Sequence, residues 1–186
     1  MNLKLKIFKW LVSWNFSITK FPSVWTTGTM NRTSEGLYCF YIDYDKMQLD
    51  WIEEELKFLQ EMYDVGNIHL FQSSPKSFHG VSFVKLKAVE YVDILRNSSC
   101  DEAFKNVPRF TSLRNYVLRN FEKGKTPAPV YLKSLLAETK REKSYAHYKF
   151  FKILYPEIEK VEKSEGFDSS QKLEIIQYPT GGNIGD

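Results

Sequence analysis

The clearest alternation of apolar and polar positions lies in residues 37–45, with the sequence Leu-Tyr-Cys-Phe-Tyr-Ile-Asp-Tyr-Asp. Successive side chains of a strand point to opposite faces, so Phe40 and Ile42 share one face while Asp43 and Asp45 share the other. Two carboxylates side by side repel each other unless a cation lies between them. The pattern therefore predicts a strand with one apolar face and an acidic pair at its end.

The residues after this strand give further helix and strand signals. A capping-box pattern at 50–53 opens a segment in which apolar residues recur at helical spacing from Ile52 onward, and Gly66 ends it. Short apolar runs bounded by turn residues predict the strands that follow. The predicted elements are a helix from 50 to about 65, strands over 68–71 and 81–86 joined by a polar turn at 73–77, a helix over 88–95 and a strand over 115–121.

This order of elements predicts the fold class. Strand, helix, strand, strand, helix, strand is the split βαβ pattern, so we expect an α+β fold with a ferredoxin-like or RNA-recognition-like βαββαβ core. In that arrangement the first and third strands are central antiparallel neighbours, and the fourth lies beside the first. The ends carrying Asp43 and Asp45 would then meet His79, and Arg114 and Tyr116 would approach the same edge.

The chain divides into three predicted parts. We expect a core over residues 1–126, a mainly helical appendage over 127–166 and a flexible tail over 167–186, with one strand near 173–176 as an alternative within the tail. The first 14 residues contain lysines that interrupt any signal-peptide core, and no apolar stretch is long enough to span a bilayer. The sequence therefore predicts an intracellular protein, with no membrane partner.

Composition and charge narrow the function classes. The two cysteines, Cys39 and Cys100, indicate neither a disulfide framework nor a cysteine zinc site. The net charge of +3 is slight, but residues 105–149 contain eleven basic residues against three acidic ones, and the acidic excess lies in 50–64. This asymmetry suits a polyanionic partner, although solvated helix faces are an alternative explanation.

Three short motifs follow one another along the chain, namely Tyr41-Ile42-Asp43-Tyr44-Asp45, Ser77-Phe78-His79 and a later acid. Together they resemble the motifs of the archaeo-eukaryotic primase superfamily, which includes the primase-polymerases of plasmids and viruses. The resemblance covers roughly residues 37–125. It implies a template-dependent nucleotidyltransferase that makes or extends oligonucleotides on single-stranded DNA from NTPs or dNTPs and releases pyrophosphate. Any helicase partner would be a separate protein.

The resemblance also implies roles for individual residues. Asp43, Asp45 and a third acid would be catalytic and would hold Mg²⁺ or Mn²⁺, since two metal ions can activate a 3′-hydroxyl and stabilise the leaving group. The third acid is assigned to Asp101, with Glu102 and Asp93 as fallbacks. The residues implied in nucleotide binding are Ser77, His79, Arg114, Arg119 and Lys123. Lys123 and Lys125 are also implied template contacts, and Arg32 a further nucleotide contact.

Two alternatives from other classes remain open. A rolling-circle replication endonuclease would use a tyrosine such as Tyr148, but it needs a histidine pair, and Ile68-His69-Leu70 offers only one histidine. A non-catalytic RNA-recognition-like module would bind nucleic acid through aromatic residues on an open sheet face, where Asp43 and Asp45 would repel phosphates. We expect His69 to be a hydrogen-bonded core or sheet-face residue.

Overall fold

The structure is a computed structural model that describes residues 2–7, 10–15, 25–110, 116–162, 167–168 and 175–179. Over these residues it is a mixed α+β protein with mainly antiparallel sheets and four α-helices. The strands are β1 (Asn2–Ile7), β2 (Trp10–Asn15), β3 (Trp25–Met30), β4 (Tyr38–Asp45), β5 (Ile68–Ser74), β6 (Ser77–Leu86), β7 (Val117–Arg119), β8 (Val130–Leu135), β9 (Lys143–Ser144), β10 (Phe167–Asp168) and β11 (Ile175–Pro179). The helices are α1 (Leu49–Tyr63), α2 (Ala88–Arg96), α3 (Glu102–Phe110) and α4 (Tyr145–Leu154), followed by a short 3₁₀ helix (Pro156–Lys160).

The largest sheet is built around β6. Strands β4 and β5 both pair antiparallel with β6, β8 adds to β5, and the short strands β9 and β10 continue the sheet. The predicted antiparallel pairing of the first and third strands is thereby confirmed. In its register Asp43 lies opposite His79, and Asp45 lies opposite Ser77.

A second, three-stranded sheet has the order β11, β3, β7. The prediction that the fourth strand lies beside the first is wrong, because β7 pairs with β3 instead. Asn31 explains the difference. Its side chain donates to the Cys39 carbonyl at 3.1 Å and accepts from the Tyr116 N–H at 3.3 Å, so it joins the segment after β3 to both β4 and the residue before β7.

The predicted helical appendage over 127–166 is only partly helical. Its first half contains β8, which occupies the outer edge of β5 and satisfies backbone groups that would otherwise remain unpaired. Tyr131 of β8 lies against Phe71 of β5, with ring centroids 5.9 Å apart. Within the predicted tail, the described segments 167–168 and 175–179 are strands, one in the largest sheet and one in the three-stranded sheet, so the expectation of a single strand there is too small.

Helices cover both faces of the central sheet. On one face, side-chain atoms of Leu56 from α1, Ile42 and Ile68 all lie within 4 Å of the position that a Cβ would take at Gly80. On the other face, Phe151 of α4 contacts an aromatic cluster with centroid distances of about 6 Å; its members are Tyr41, Phe71, Phe83 and Tyr155. Among the described residues, none of the helices is both long enough and apolar enough to cross a membrane.

Two buried histidines connect distant parts of the fold. His69 lies between the Ser134 hydroxyl, at 2.7 Å, and the Glu162 carboxylate, at 2.9 Å, which confirms its predicted place in the core. The ring nitrogens of His147 lie 2.7 Å from the Ser144 hydroxyl and 2.9 Å from the Met30 carbonyl oxygen, so this side chain attaches α4 to β3. Burial lowers the pKa of His147 to about 4.

This pKa predicts a specific loss of stability in acid. The unfolded chain protonates His147 near pH 6.5 and the folded chain only near pH 4, so stability present above pH 6.5 is lost as the pH falls through this window. In His147→Gln the free energy of unfolding should fall less steeply there, by up to about 1.4 kcal/mol per pH unit. Urea unfolding at a series of pH values measures this, and equal slopes for both proteins would refute it.

Candidate active site

A cleft of about 310 Å³ gathers most of the residues that the sequence assigns to function. It lies at the end of the central sheet where β4 stops and β6 begins, next to β7. The assigned residues that line it are Asp43, Asp45, Ser77, His79, Asp101, Arg119 and Lys123. These side chains come from four separate parts of the chain, which only the fold brings together.

The acidic pair occupies the last part of β4, where strand alternation places both carboxyl groups on the cleft side. The Asp43 side chain is 31% exposed, and its Oδ1 lies 3.5 Å from His79 Nε2 across the strand pair. The Ser77 hydroxyl donates to Asp45 Oδ1 at 2.5 Å. In this arrangement Ser77 orients Asp45, which is a different contact from the phosphate contact implied by the resemblance.

Asp101 is the third acid of the cleft. Its backbone N–H donates to the Asp43 carbonyl at 2.8 Å, and its Oδ2 accepts from the Phe104 N–H at 3.1 Å, so it also caps the first turn of α3. The two fallback acids are engaged elsewhere and do not line the cleft. Asp93 accepts from the Tyr63 hydroxyl, and Glu102 forms an ion pair with Lys105.

The three carboxyl groups affect one another electrostatically. Burial and then the negative charges of Asp101 and Asp45 raise the pKa of Asp43 to about 7, against a smaller opposing effect of the Arg119 charge. A carboxyl group with this pKa is crowded by like charge and poorly solvated. Perturbed acids in a cleft are typical of functional sites, although structural networks produce them too.

His79 is a neutral imidazole at physiological pH. Burial and then the positive charge of Arg119 lower its pKa to about 3. The side chain is 7% exposed and keeps its place beside Asp43. Because the ring is uncharged, it can offer a phosphate one N–H donor and no positive charge.

Arg119 is fixed by backbone carbonyls. Its guanidinium donates to the carbonyls of Phe121 at 2.8 Å and Pro127 at 2.6 Å, and also to the carbonyl of Ser73. These bonds connect the loop after β7 to the end of β5. Arg119 therefore has a structural function, and its charge acts on Asp43 and His79 from a fixed position.

The remaining assigned residues are distributed unevenly. Lys123 lines the cleft and Lys125 lies exposed in the same short turn, closed by a bridge between Lys123 and Thr126. Arg32 is exposed and does not line the cleft, and Arg114 lies outside the described residues. Sequence reasoning missed some lining residues, for which a polar or strand-like local sequence was the only signal; these are Ser73, Ser74, Val117, Leu118 and Thr126.

The donor set suits a hard divalent cation in part. Aspartate oxygens are the ligands that Mg²⁺ and Mn²⁺ prefer, and burial together with the charges of Asp101 and Asp45 raises the pKa of Asp43. Within the described part of the chain, however, no group of three or more His, Cys, Asp or Glu side chains is spaced to hold a metal ion as it stands. Mg²⁺ sites commonly use one or two carboxylates and complete their shell with water and substrate phosphates, and the cleft fits that kind of site.

Comparison of the chain with protein-family models, with curated proteins and with solved structures found no match.

The close packing beside the acidic pair gives a first prediction for the site. A Cβ at Gly80 would lie 2.7 Å from Ile42 Cγ2, on the side of the sheet that faces α1. Ile42 directly precedes Asp43 in β4, and Gly80 directly follows His79 in β6, so this contact is next to the acidic pair. Gly80→Ala should therefore destabilise the protein by about 1–3 kcal/mol. In an Ile42→Ala background, which removes the clashing atom, the cost should be smaller by at least about 0.5 kcal/mol.

Urea unfolding of the four proteins of this cycle measures the coupling. Ile158→Ala, a buried position in the 3₁₀ helix, gives the matched background in which the two costs should add. If the losses in unfolding free energy also add in the Ile42→Ala background, the contact with Ile42 is not the reason why Gly80 tolerates no side chain.

Charge crowding gives a second prediction. Because the folded-state pKa of Asp43 is raised to about 7, its ionisation costs stability as the pH rises through that value. Asp43→Asn should therefore stabilise the metal-free protein at pH 8 by about 1–3 kcal/mol, and the gain should disappear near pH 4.

Thermal unfolding in EDTA at both pH values tests this prediction. Glu61→Gln is the control, because Glu61 is an exposed acid of α1 that does not line this cleft. An equal gain in the control, or no gain in Asp43→Asn, would contradict the prediction.

Proposed function

We propose that this protein is a metal-dependent nucleotidyltransferase that makes or extends oligonucleotides on a single-stranded DNA template. The observation that carries the proposal is the convergence of Asp43, Asp45 and Asp101 with Ser77 and His79 in one cleft. These are the residues that the resemblance to primase-polymerases assigned to catalysis and nucleotide binding, and they come from distant parts of the chain.

The topology supports a more specific proposal for the fold. The order β4, α1, β5, β6, α2, with β6 between β4 and β5, agrees with an RNA-recognition-like core as far as its third strand. The fourth strand of such a core would be β7, which lies on β3. We therefore propose a variant of this fold, in which the segment carrying Asn31 separates the first strand from the fourth.

The chain's own residues would divide the work as follows. Asp43, Asp45 and Asp101 would hold Mg²⁺ or Mn²⁺, which when bound supplies Lewis-acid activation of the attacking 3′-hydroxyl and stabilises the pyrophosphate leaving group. His79 would donate one N–H to a phosphate oxygen of the incoming nucleotide. Lys123, which also lines the cleft, would add a positive charge for the phosphates of the nucleotide.

In the proposed reaction, a 3′-hydroxyl oxygen attacks the α-phosphorus of a nucleoside triphosphate. A new P–O bond forms in line with the α–β bridging bond that breaks, and pyrophosphate leaves with the displaced electron pair. The hydroxyl proton passes to solvent or to a carboxylate of the cleft.

The binding-module alternative has less support. RNA-recognition modules stack bases on aromatic residues of an open sheet face. Here Tyr41, Phe71 and Phe83 are buried under Phe151 of α4, and each is at most 1% exposed. That face of the sheet is therefore closed to bases, while the carboxylates line the accessible cleft.

The endonuclease alternative is also less supported. It needs a histidine pair and a tyrosine nucleophile around one metal. His69 is bound by Ser134 and Glu162 in the core, and neither it nor Tyr148 lines the cleft. Tyr148 instead packs against Phe83, with ring centroids 5.8 Å apart.

The proposal predicts metal-dependent synthesis on single-stranded DNA. With Mg²⁺ or Mn²⁺ and labelled NTPs or dNTPs, the wild-type protein should give oligonucleotides on primed or unprimed templates. Asp43→Ala/Asp45→Ala should lower the rate by at least about a thousandfold, because it removes the proposed metal ligands. Denaturing gels of the products measure this.

Two controls sharpen the test. Asp101→Asn keeps a good helix cap and removes only the charge, so loss of activity in this variant reports on the carboxylate rather than on α3. Glu61→Gln removes a carboxylate outside the cleft and should leave the rate unchanged. No product from the wild type with either metal would reject the proposed function, and DNA attached covalently to Tyr148 would favour the endonuclease.

A further inference from the structure

Two lysines lie side by side just beyond the acidic pair. The register of β4 with β6 ends with Asp45 opposite Ser77, and Lys46 and Lys76 are the next positions of the two segments. The N–H of Met47 donates to the Lys76 carbonyl at 3.1 Å, which holds the segments together past the end of the sheet.

The backbone fixes both lysines at the tips of sharp turns. Lys46 has a φ of 59° and Lys76 a φ of 65°, both in the left-handed region that L residues rarely adopt. Lys76 follows Pro75 in the two-residue connection between the paired residues Ser74 and Ser77. Pro followed by a residue with positive φ fits a type II turn. The backbone positions of the two lysines are therefore set by local geometry.

The two lysines have no acidic partner among the described residues. Both side chains are exposed, and none of the ion pairs formed within that part of the chain includes Lys46 or Lys76. Neighbouring like charges repel each other, just as the carboxylates of the cleft do, and an anion between them relieves the repulsion. Phosphate is the anion for which lysine is a common point-charge partner.

The location of the pair indicates which phosphate it would bind. Lys46 and Lys76 do not line the cleft, whereas Lys123 does. A nucleotide in the cleft would place its triphosphate among the lining residues. A phosphate outside the cleft, next to Asp45 and Ser77, belongs more naturally to a chain that continues past the site.

We propose that Lys46 and Lys76 form a binding site for the phosphate backbone of a single-stranded nucleic acid that passes the cleft. The inference rests on the proposed function, because it assigns the strand on which that function acts. Lys46 and Lys76 each contact one phosphate and carry no base specificity. They form a positive zone that is separate from Lys123 and borders the negative zone of the three acids.

The binding of a fluorescein-labelled oligo-dT of about 20 nucleotides tests this site without catalysis. Fluorescence anisotropy measures the binding in EDTA, at salt concentrations between about 50 and 200 mM. Lys46→Gln/Lys76→Gln should weaken binding about five- to tenfold at the lower salt concentration. The slope of log K against log salt should become shallower by about 1.4, or 0.7 for each lost phosphate contact. Lys46→Arg/Lys76→Arg should keep the wild-type slope.

The matched control is Lys149→Gln/Lys160→Gln, which changes the net charge equally at two exposed lysines that do not line the cleft. It should leave the slope unchanged. An equal effect in the control, no effect in Lys46→Gln/Lys76→Gln, or no binding of oligo-dT by the wild type would overturn the inference. Circular dichroism of each variant shows that the fold is retained.

A second probe distinguishes binding of a nucleic-acid strand at the two lysines from binding of a nucleotide there. Affinity for a fluorescent nucleoside triphosphate should be the same in the wild type and in Lys46→Gln/Lys76→Gln. If only the nucleotide affinity falls, the phosphate belongs to the nucleotide and the inference is wrong. If oligo-dT binds as expected but the wild type makes no product, the proposed function fails while the strand site stands.

Discussion

The register in which β4 pairs with β6 is the constraint on which the rest of the structure depends. A slip of one residue would turn Asp43 and Asp45 away from the cleft toward the side of α1 and would turn Ile42 toward the side of the cleft, because side chains alternate along a strand. Close packing prevents this slip. Ile42 and Gly80 lie opposite each other under α1, with no room for even one more carbon atom. The contact that fixes the register is therefore adjacent to the residues whose position matters most.

Electrostatics then decides how these residues behave. Three carboxyl groups share one cleft, and the buried imidazole next to them remains neutral, so it cannot balance their charge. Arg119 acts at a distance, held in place by three carbonyl groups. This combination lowers the stability of the isolated protein and leaves the cleft with an excess of negative charge. A site that accepts such a cost in an otherwise well-packed core is typical of a functional region.

Local sequence signals predicted the elements from β4 to α2, because apolar periodicity and turn residues in this region agree. The predicted capping box at 50–53 is wrong, since α1 begins at Leu49 and Gln48 makes no side-chain cap. Local signals failed for β8, in which Val130 and Leu132 are exposed and the strand is defined by the open edge of β5. Within the cleft, too, some contacts follow from local sequence and others only from the path of the chain. The Asp43–His79 contact follows from two short motifs and one pairing, whereas the bonds of Arg119 to carbonyl groups depend on the path of the chain and have no motif.

The cleft is assembled from segments that are far apart in the chain, and this has a consequence for folding. Asp43 and His79 meet once β4 has paired with β6. Asp101 reaches them only after α2 has packed, and Arg119 reaches them only after β7 has paired with β3. Contacts between distant segments form slowly, because loop closure must precede them. During synthesis from the N-terminus, the acidic pair therefore exists for a time without its third carboxylate and without its fixed cation. A complete cleft is therefore a late product of folding, because its lining extends from Asp43 to Thr126.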